Sequence, residues 1–261
     1  MRRFPNKRCL RPDCGSLRLW HLGHLPAAPA LRYGRSDLDR CAVPCCSWPP
    51  IPGLVGCLSR SDCPNRIHFS HYWTHPLFVP GSIVPLVGLA NDIAVLRLAT
   101  PFTAGSYPRN VRPVCLPSAG LPVLGLHPLS VAGWGIGLTL STTDELRKVF
   151  SSDSFAFPSL FKTSAIPVQA EMITMPFPTC NLYFQKLDFS SFCATPVEIG
   201  TTCQGDSGSG IVSDRGGRSE IDGVVSYGLA PPLGCAPLPG VFSGYQQVFI
   251  HLNWIRFVMG G

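Results

Sequence analysis

The residues best suited to chemistry lie in one stretch, Thr201-Thr202-Cys203-Gln204-Gly205-Asp206-Ser207-Gly208-Ser209-Gly210. Ser207 is a small nucleophile set among glycines that keep side chains out of its way. Gly205 and Gly208 open backbone conformations closed to bulkier residues, so that N–H groups can point into a shared hollow. Preorganised donors of that kind stabilise negative charge as it develops on a tetrahedral oxygen. A serine hydroxyl is a weak nucleophile by itself and needs a neighbouring base, usually a histidine oriented by an aspartate. The chain must therefore bring an imidazole and a carboxylate to Ser207. Asp92, which opens the run Ile93-Ala94-Val95-Leu96-Arg97-Leu98, offers the carboxylate. No imidazole stands in a matching place.

Gly205-Asp206-Ser207-Gly208 resembles the nucleophile loop of the trypsin/chymotrypsin-like serine endopeptidases, although Ser209-Gly210 departs from that family's Gly-Pro. Four further matches follow in the family's order. They are Asn91-Asp92-Ile93-Ala94-Val95-Leu96, Val114-Cys115-Leu116-Pro117, Ala132-Gly133-Trp134-Gly135, and Ser226-Tyr227-Gly228 followed by Pro239-Gly240-Val241-Phe242. The resemblance covers residues 75 to 258. It implies an all-β fold of two barrels with a C-terminal helix, the first barrel incomplete because its opening strands lack their sequence.

The resemblance also assigns roles. Asp92 is the catalytic carboxylate that orients the histidine and Ser207 is the nucleophile, with the N–H groups of Gly205 and Ser207 as the oxyanion hole. Thr201, six residues before Ser207, is the floor of the substrate pocket, with Thr202, Ser226, Tyr227, Gly228 and Gly240 around it. A neutral threonine cannot compensate a buried cation, so an apolar guest is expected rather than Lys or Arg. Asp206 is the activation switch that in the family pairs with a freshly cleaved amino terminus. Cys180–Cys193 and Cys203–Cys235 match family disulfides, and Cys115 resembles a cysteine that tethers a cleaved propeptide.

The family's Ile-Val-Gly-Gly terminus, Cys-Gly-Gly-Ser strand and Thr-Ala-Ala-His-Cys turn are not found; Cys14-Gly15-Ser16-Leu17 echoes only the second. In the triad template the histidine precedes the aspartate by roughly 45 residues. That points near position 47, and no histidine lies between Leu25 and Ile67. His75, in Thr74-His75-Pro76-Leu77-Phe78, resembles a family segment whose histidine is not catalytic. His68 and His71 precede Asp92 by 24 and 21 residues (92 − 68 and 92 − 71), fewer than in the template, so that either would serve only as a replacement base folded back toward Ser207, as would His75. His21 and His24 would need a long insertion, and His251 is expected to be structural.

The elements that must position these residues are short strands. Of 261 residues, 45% are hydrophobic, enough for a sizeable core. With 27 prolines and 26 glycines the chain suits many strands and turns rather than long helices. Residues 67–73 and 93–98 read as strands. Val248, Leu252, Ile255 and Met259 recur at helical spacing within and beyond Tyr245–Ile255, which predicts a helix; it resembles the family's C-terminal helix, which the resemblance places on the second barrel. Asp92 to Ser207 spans 115 residues (207 − 92), about 20 more than the triad template, and the surplus falls in 137–164. Exposed Phe150, Phe155, Phe157 and Phe161 would make that loop a partner surface.

Residues 1–64 form a Cys/Pro/Arg-rich segment apart from the protease-like domain, 65–261. It holds Cys9, Cys14, Cys41, Cys45, Cys46, Cys57 and Cys63 without the paired Cys-x-x-Cys spacing of a zinc site. No metal and no cofactor is implied. With Cys115 these cysteines leave 105 pairings. Twelve cysteines point to an oxidising, extracellular setting, although no signal sequence is visible at the start. A net charge of +6 without an aromatic-interleaved basic patch speaks against nucleic acid, and no apolar run is long enough for a membrane span.

Three functional readings follow. The first is a secreted serine endopeptidase acting on peptides or proteins, whose N-terminal half is misrepresented here, so that the chain as written is inactive for want of its histidine. The second is a non-catalytic protease homologue that binds a partner or inhibitor. The third joins a disulfide-rich module to an unrelated β domain.

Overall fold

The computed structural model describes residues 51–55, 65–78, 90–103, 107–108, 111–122, 125–138, 161–163, 168–184, 187, 189–197, 200–203, 205–228 and 241–260. For 51–55, 65–66, 136–138, 161–163 and 168 the backbone alone is described. Its elements are β1 (Ile51–Val55), β2 (Asn65–Thr74), β3 (Ala94–Leu98), β4 (Pro128–Gly133), β5 (Ile136–Leu138), β6 (Phe161–Thr163), β7 (Val168–Thr174), α1 (Phe177–Tyr183), β8 (Ser191–Pro196), β9 (Gly210–Asp214), β10 (Ser219–Gly228), β11 (Ser243–Gln247) and α2 (Leu252–Val258).

Six of these strands close on themselves in the order β10-β11-β8-β7-β4-β9, each neighbour antiparallel. The period of two explains the closure. Along β4 Leu129 and Val131 point inward, and Ala170, Met172, Phe192, Ala194, Ile211, Val225 and Tyr245 from the other strands fill the same interior. Phe192 stacks on Tyr245 with centroids 5.1 Å apart. The Cys180–Cys193 disulfide ties α1 to β8, as expected. Cys203 is disulfide-bonded too; Cys235, its expected partner, lies outside the described residues.

The first half contributes a three-stranded sheet, β1-β2-β3, among the described residues. Its strand β1 comes from the segment before residue 65 and pairs with β2 from Ile51↔Phe69 to Val55↔Asn65. The predicted strands at 67–73 and 93–98 are β2 and β3. Ile67 and Phe69 pack with Val111 beneath the sheet.

A second apolar cluster joins the two halves. Ile93 and Val95 meet Ile221 of β10 and Val248, Leu252 and Ile255 at the chain's end. The helix is thus wedged between sheet and barrel, and it starts later than the sequence pattern predicts. Tyr245–Gln247 is the end of β11, not helix. Tyr245 is drawn into the barrel core, and the buried Gln246 amide donates to Ser191 Oγ at 2.9 Å, so tertiary packing holds these residues extended. The Tyr245 hydroxyl is pushed upward in pKa by that burial. A 3₁₀ turn, Phe249–His251, then leads into α2.

The proposed loop surplus is bracketed by β5 and β6, which pair from Ile136↔Thr163 to Leu138↔Phe161. Phe150, Phe155 and Phe157 between them lie outside the described residues, as do the seven cysteines before residue 64.

The segment linking the halves is fastened to the β9–β10 hairpin by a buried carboxylate. Cys115 donates its N–H to Ser219 O and accepts from Ile221 N, at 3.1 and 2.9 Å. Beside it, Glu220 is 1% exposed and takes the Ser118 N–H and hydroxyl at 2.8 and 3.1 Å. Arg218 reaches its other oxygen at 2.6 Å, while Arg215 spans Glu220 and Asp222. Burial pushes the Glu220 carboxyl up, but the Ser118 bonds and the Arg218 guanidinium together hold it below its ordinary value of 4.5. Its stabilisation is therefore present above that value and lost as pH falls through the lowered one. Glu220→Gln should cost about 1.5–3 kcal/mol in urea denaturation at pH 7 and lose less stability than the parent on acidification. Equal acid sensitivity of the two proteins would refute this assignment.

Candidate active site

The Asp92 turn is built before β3. Asn91 takes a left-handed conformation, φ +56°, which asparagine tolerates better than most residues. Its carbonyl accepts from Ile93 N at 2.8 Å, so the chain reverses tightly around Asp92. Three side-chain contacts hold Asn91: its N–H donates to Ser190 Oγ at 3.3 Å, its amide donates to Leu77 O at 3.4 Å, and its Oδ1 lies 3.2 Å from His251 Nε2. The Asp92 carboxylate then accepts from Ser226 Oγ of β10 at 2.6 Å.

The Ser207 turn hangs on the neighbouring residue of the same strand. Val225 O accepts from Gly208 N and Val225 N donates to Ser209 O, each at 2.9 Å. Asp206 N closes back on Cys203 O, and Ser209 N on Asp206 O. Gly205 and Gly208 both have positive φ, +100° and +84°. Among the described residues, the N–H groups of Gly205 and Ser207 are spent on no backbone carbonyl. Ser207 itself is exposed. Consecutive residues of β10, Val225 and Ser226, thus fasten the Ser207 turn and Asp92.

Asp206 points the other way and is 7% exposed. Its Oδ1 accepts from Gly135 N at 2.7 Å and its Oδ2 from Cys203 N at 2.9 Å. A Cβ at Gly133 or Gly135 would collide with this carboxylate. The two glycines flanking Trp134 are therefore a steric requirement of the buried aspartate.

The residues expected to form the pocket are placed unevenly. Thr202 is buried with its hydroxyl 3.5 Å from the Tyr245 hydroxyl. Thr201 Oγ1 is buried without a hydrogen-bond partner among the described residues. Gly228 ends β10 in the open, and a Cβ there would meet nothing. Past a register shift in β10 between Val225 and Tyr227, the Tyr227 ring lies edge-on to Phe184, 5.0 Å away, in the apolar cluster around Cys180–Cys193. Gly240 lies outside the described residues.

The histidines point elsewhere. Thr74 pairs with Ala94 and the His75 N–H donates to Ile93 O at 3.0 Å, so His75 is level with the acid. Its ring nonetheless turns to α2, edge-on to His251 at 5.1 Å and Trp254 at 4.8 Å, with Nδ1 accepting from Leu77 N. Burial, and then the nearby His251, lower its pKa. His71 pairs with Arg97 and stacks on Trp73, four residues back along β2 and so about 13 Å from the level of Asp92. His68, whose carbonyl accepts from Ala99 N, is farther still. No histidine among the described residues hydrogen-bonds to Asp92 or Ser207; His21 and His24 lie outside them.

The trypsin family model matches residues 58–153 and 160–255. The chain belongs to the trypsin-like serine protease family. Among relatives it is 33% identical to melanization protease 1 of Drosophila melanogaster over 93% of this chain and 57% of that protein. It is 29% identical to phenoloxidase-activating factor 3 of Holotrichia diomphalia, over 77% and 51%. It is 31% identical to snake venom serine protease homolog KN7 of Trimeresurus stejnegeri, over 66% and 55%. The chain spans about half the length of these curated relatives. Mouse neuropsin shares the fold, with a TM-score of 0.55 at 21% identity over 75% of this chain and 72% of neuropsin. No helix of the described residues is long and apolar enough to cross a membrane.

Two contacts of this trypsin-family site were not legible in sequence. Ser226 reads as a pocket residue, yet its hydroxyl donates to Asp92. Asn91 reads as part of a motif, and only its ability to take positive φ signals its part in the turn. Gly133→Ala should cost about 1–3 kcal/mol of stability, because the methyl and the Asp206 carboxylate cannot share the space. An unshifted urea midpoint would show that the carboxylate is not held where described.

Proposed function

We propose that this chain is a trypsin-family protein that presents a peptide-binding cleft and hydrolyses peptides negligibly. The observation that carries the reading is the division at β10. The Asp92 and Ser207 turns are both fastened to β10, while His68, His71 and His75 are committed elsewhere. Without a base, Ser207 lacks the proton acceptor on which its nucleophilicity depends. Oxyanion stabilisation and binding alone sustain only about 10³–10⁴ over water in the triad template. The N–H groups of Gly205 and Ser207 serve as the oxyanion donors, and Asp206 sets the turn that presents them.

The pocket of Thr201, Thr202, Ser226, Tyr227, Gly228 and Gly240 favours apolar side chains, because no acid stands at its floor to meet a cation. The ligand is a peptide or protein, encountered outside the cell, where twelve cysteines are at home. Residues 65–261 form the ligand-binding domain, with 1–64 as its extension and 137–164 as a further partner surface.

A fluorophosphonate probe labels only an activated serine. The pure chain should remain unlabelled at Ser207 under conditions where an active trypsin-family enzyme labels fully. Stoichiometric labelling abolished by one His→Ala substitution would overturn the reading and identify the base. In a peptide-library binding assay, apolar residues should be enriched at the pocket position; dominance of Arg would sink the role given to Thr201.

A further inference from the structure

His251 is 2% exposed, and both its ring nitrogens face hydrogen-bond acceptors. Nδ1 is 2.8 Å from Gln247 O, and Nε2 is 3.2 Å from Asn91 Oδ1. A backbone carbonyl can only accept. The Asn91 amide cannot simply turn its NH₂ to the ring, because that group already donates to Leu77 O at 3.4 Å and a flip would set two oxygens against each other there. A neutral imidazole carries one N–H and can satisfy one of the two acceptors; the imidazolium satisfies both. We propose that protonated His251 is a latch that holds the Asp92 turn to the C-terminal helix through Asn91.

The surroundings fit this division of labour. His75, 5.1 Å away on the segment after β2, accepts from Leu77 N through Nδ1 and is therefore neutral. Its lowered pKa, from burial and then from His251, agrees. Asp92, the residue after Asn91, accepts from Ser226. Among the described residues, β11 and the Ser190 corner bring no other charged group, and Arg256 on α2 is exposed. The latch joins three segments in one contact: Leu77 O, the Asn91–Ile93 turn and the helix. His251 is thus a positioning residue, acting on Asp92 through Asn91.

The signs of the two histidines differ. The His75 contribution is present above its ordinary value of 6.5 and declines as pH falls through the lowered one. The His251 latch tightens as the ring gains its proton. The test uses the full chain with ¹⁵N-labelled histidine between pH 5 and 8. At pH 5.5 both His251 ring nitrogens should show the imidazolium signature. On raising the pH to 8 that signature should disappear, and the Ile93 amide, which bonds Asn91 O, should exchange roughly tenfold faster after correction for the intrinsic rate, as for one lost charge-assisted hydrogen bond. His251→Gln should abolish this pH dependence and His75→Gln should keep it. A ring that stays a single neutral tautomer from pH 5 to 8 overturns the proposal. So does Ile93 exchange that ignores the ring's titration. If neither variant folds, the ring shifts and Ile93 exchange of the parent chain decide.

Discussion

The short bond from Ser226 Oγ to Asp92 Oδ2 is the constraint on which the site depends, because it crosses 134 positions of sequence and fixes one half of the molecule against the other. One residue earlier on β10, Val225 exchanges backbone bonds with the turn that carries Ser207. Strand geometry makes this pairing possible. A backbone faces its ladder neighbours while alternate side chains point out of the pleat, so consecutive residues can serve two clients. The register shift after Val225 then redirects Tyr227 into the cluster with Phe184. A slip of β10 would therefore move Asp92, the Ser207 turn and Tyr227 together. The apolar cluster of Ile93, Val95, Ile221, Val248, Leu252 and Ile255 guards against such a slip, since it clamps the same two halves.

Behind the nucleophile, the Asp206 carboxylate makes the barrel and the turn a single unit. A carboxylate at 7% exposure would be costly to leave unsatisfied, and here each oxygen receives a main-chain N–H, from Gly135 at the end of β4 and from Cys203 before the turn. Main-chain donors leave no side chain to adjust, and so the shape of the Ser207 turn is inherited from the barrel.

Sequence was most informative where one residue type is demanded by local geometry. The glycines around Ser207 and Trp134 and the alternating apolar residues of β2, β3 and β4 each declare a backbone need that few other residues meet. The six-stranded barrel and the Cys180–Cys193 bridge follow from such signals through the family resemblance. What sequence hid was decided at a distance. The helical pattern over Tyr245–Ile255 is real, but Tyr245 and Gln246 are claimed by the barrel interior, which overrides periodicity for three residues. Ser226, Asn91 and His251 carry ordinary side chains whose importance appears only when distant strands meet.

Register also decides what the cleft can do. Bringing His71 to the level of the acid would require β2 to slide four residues along β3, an even number that keeps the same face toward the core. It would nevertheless pull Ile67 and Phe69 out of their contact with Val111 and carry β2 past its ladder with β1. Each of those side chains is worth about 1.5–3 kcal/mol buried. His75 needs no slide, but turning its ring toward Ser207 would abandon Trp254, His251 and the Leu77 N–H together. Both routes to a base thus run uphill against packing that the fold itself requires.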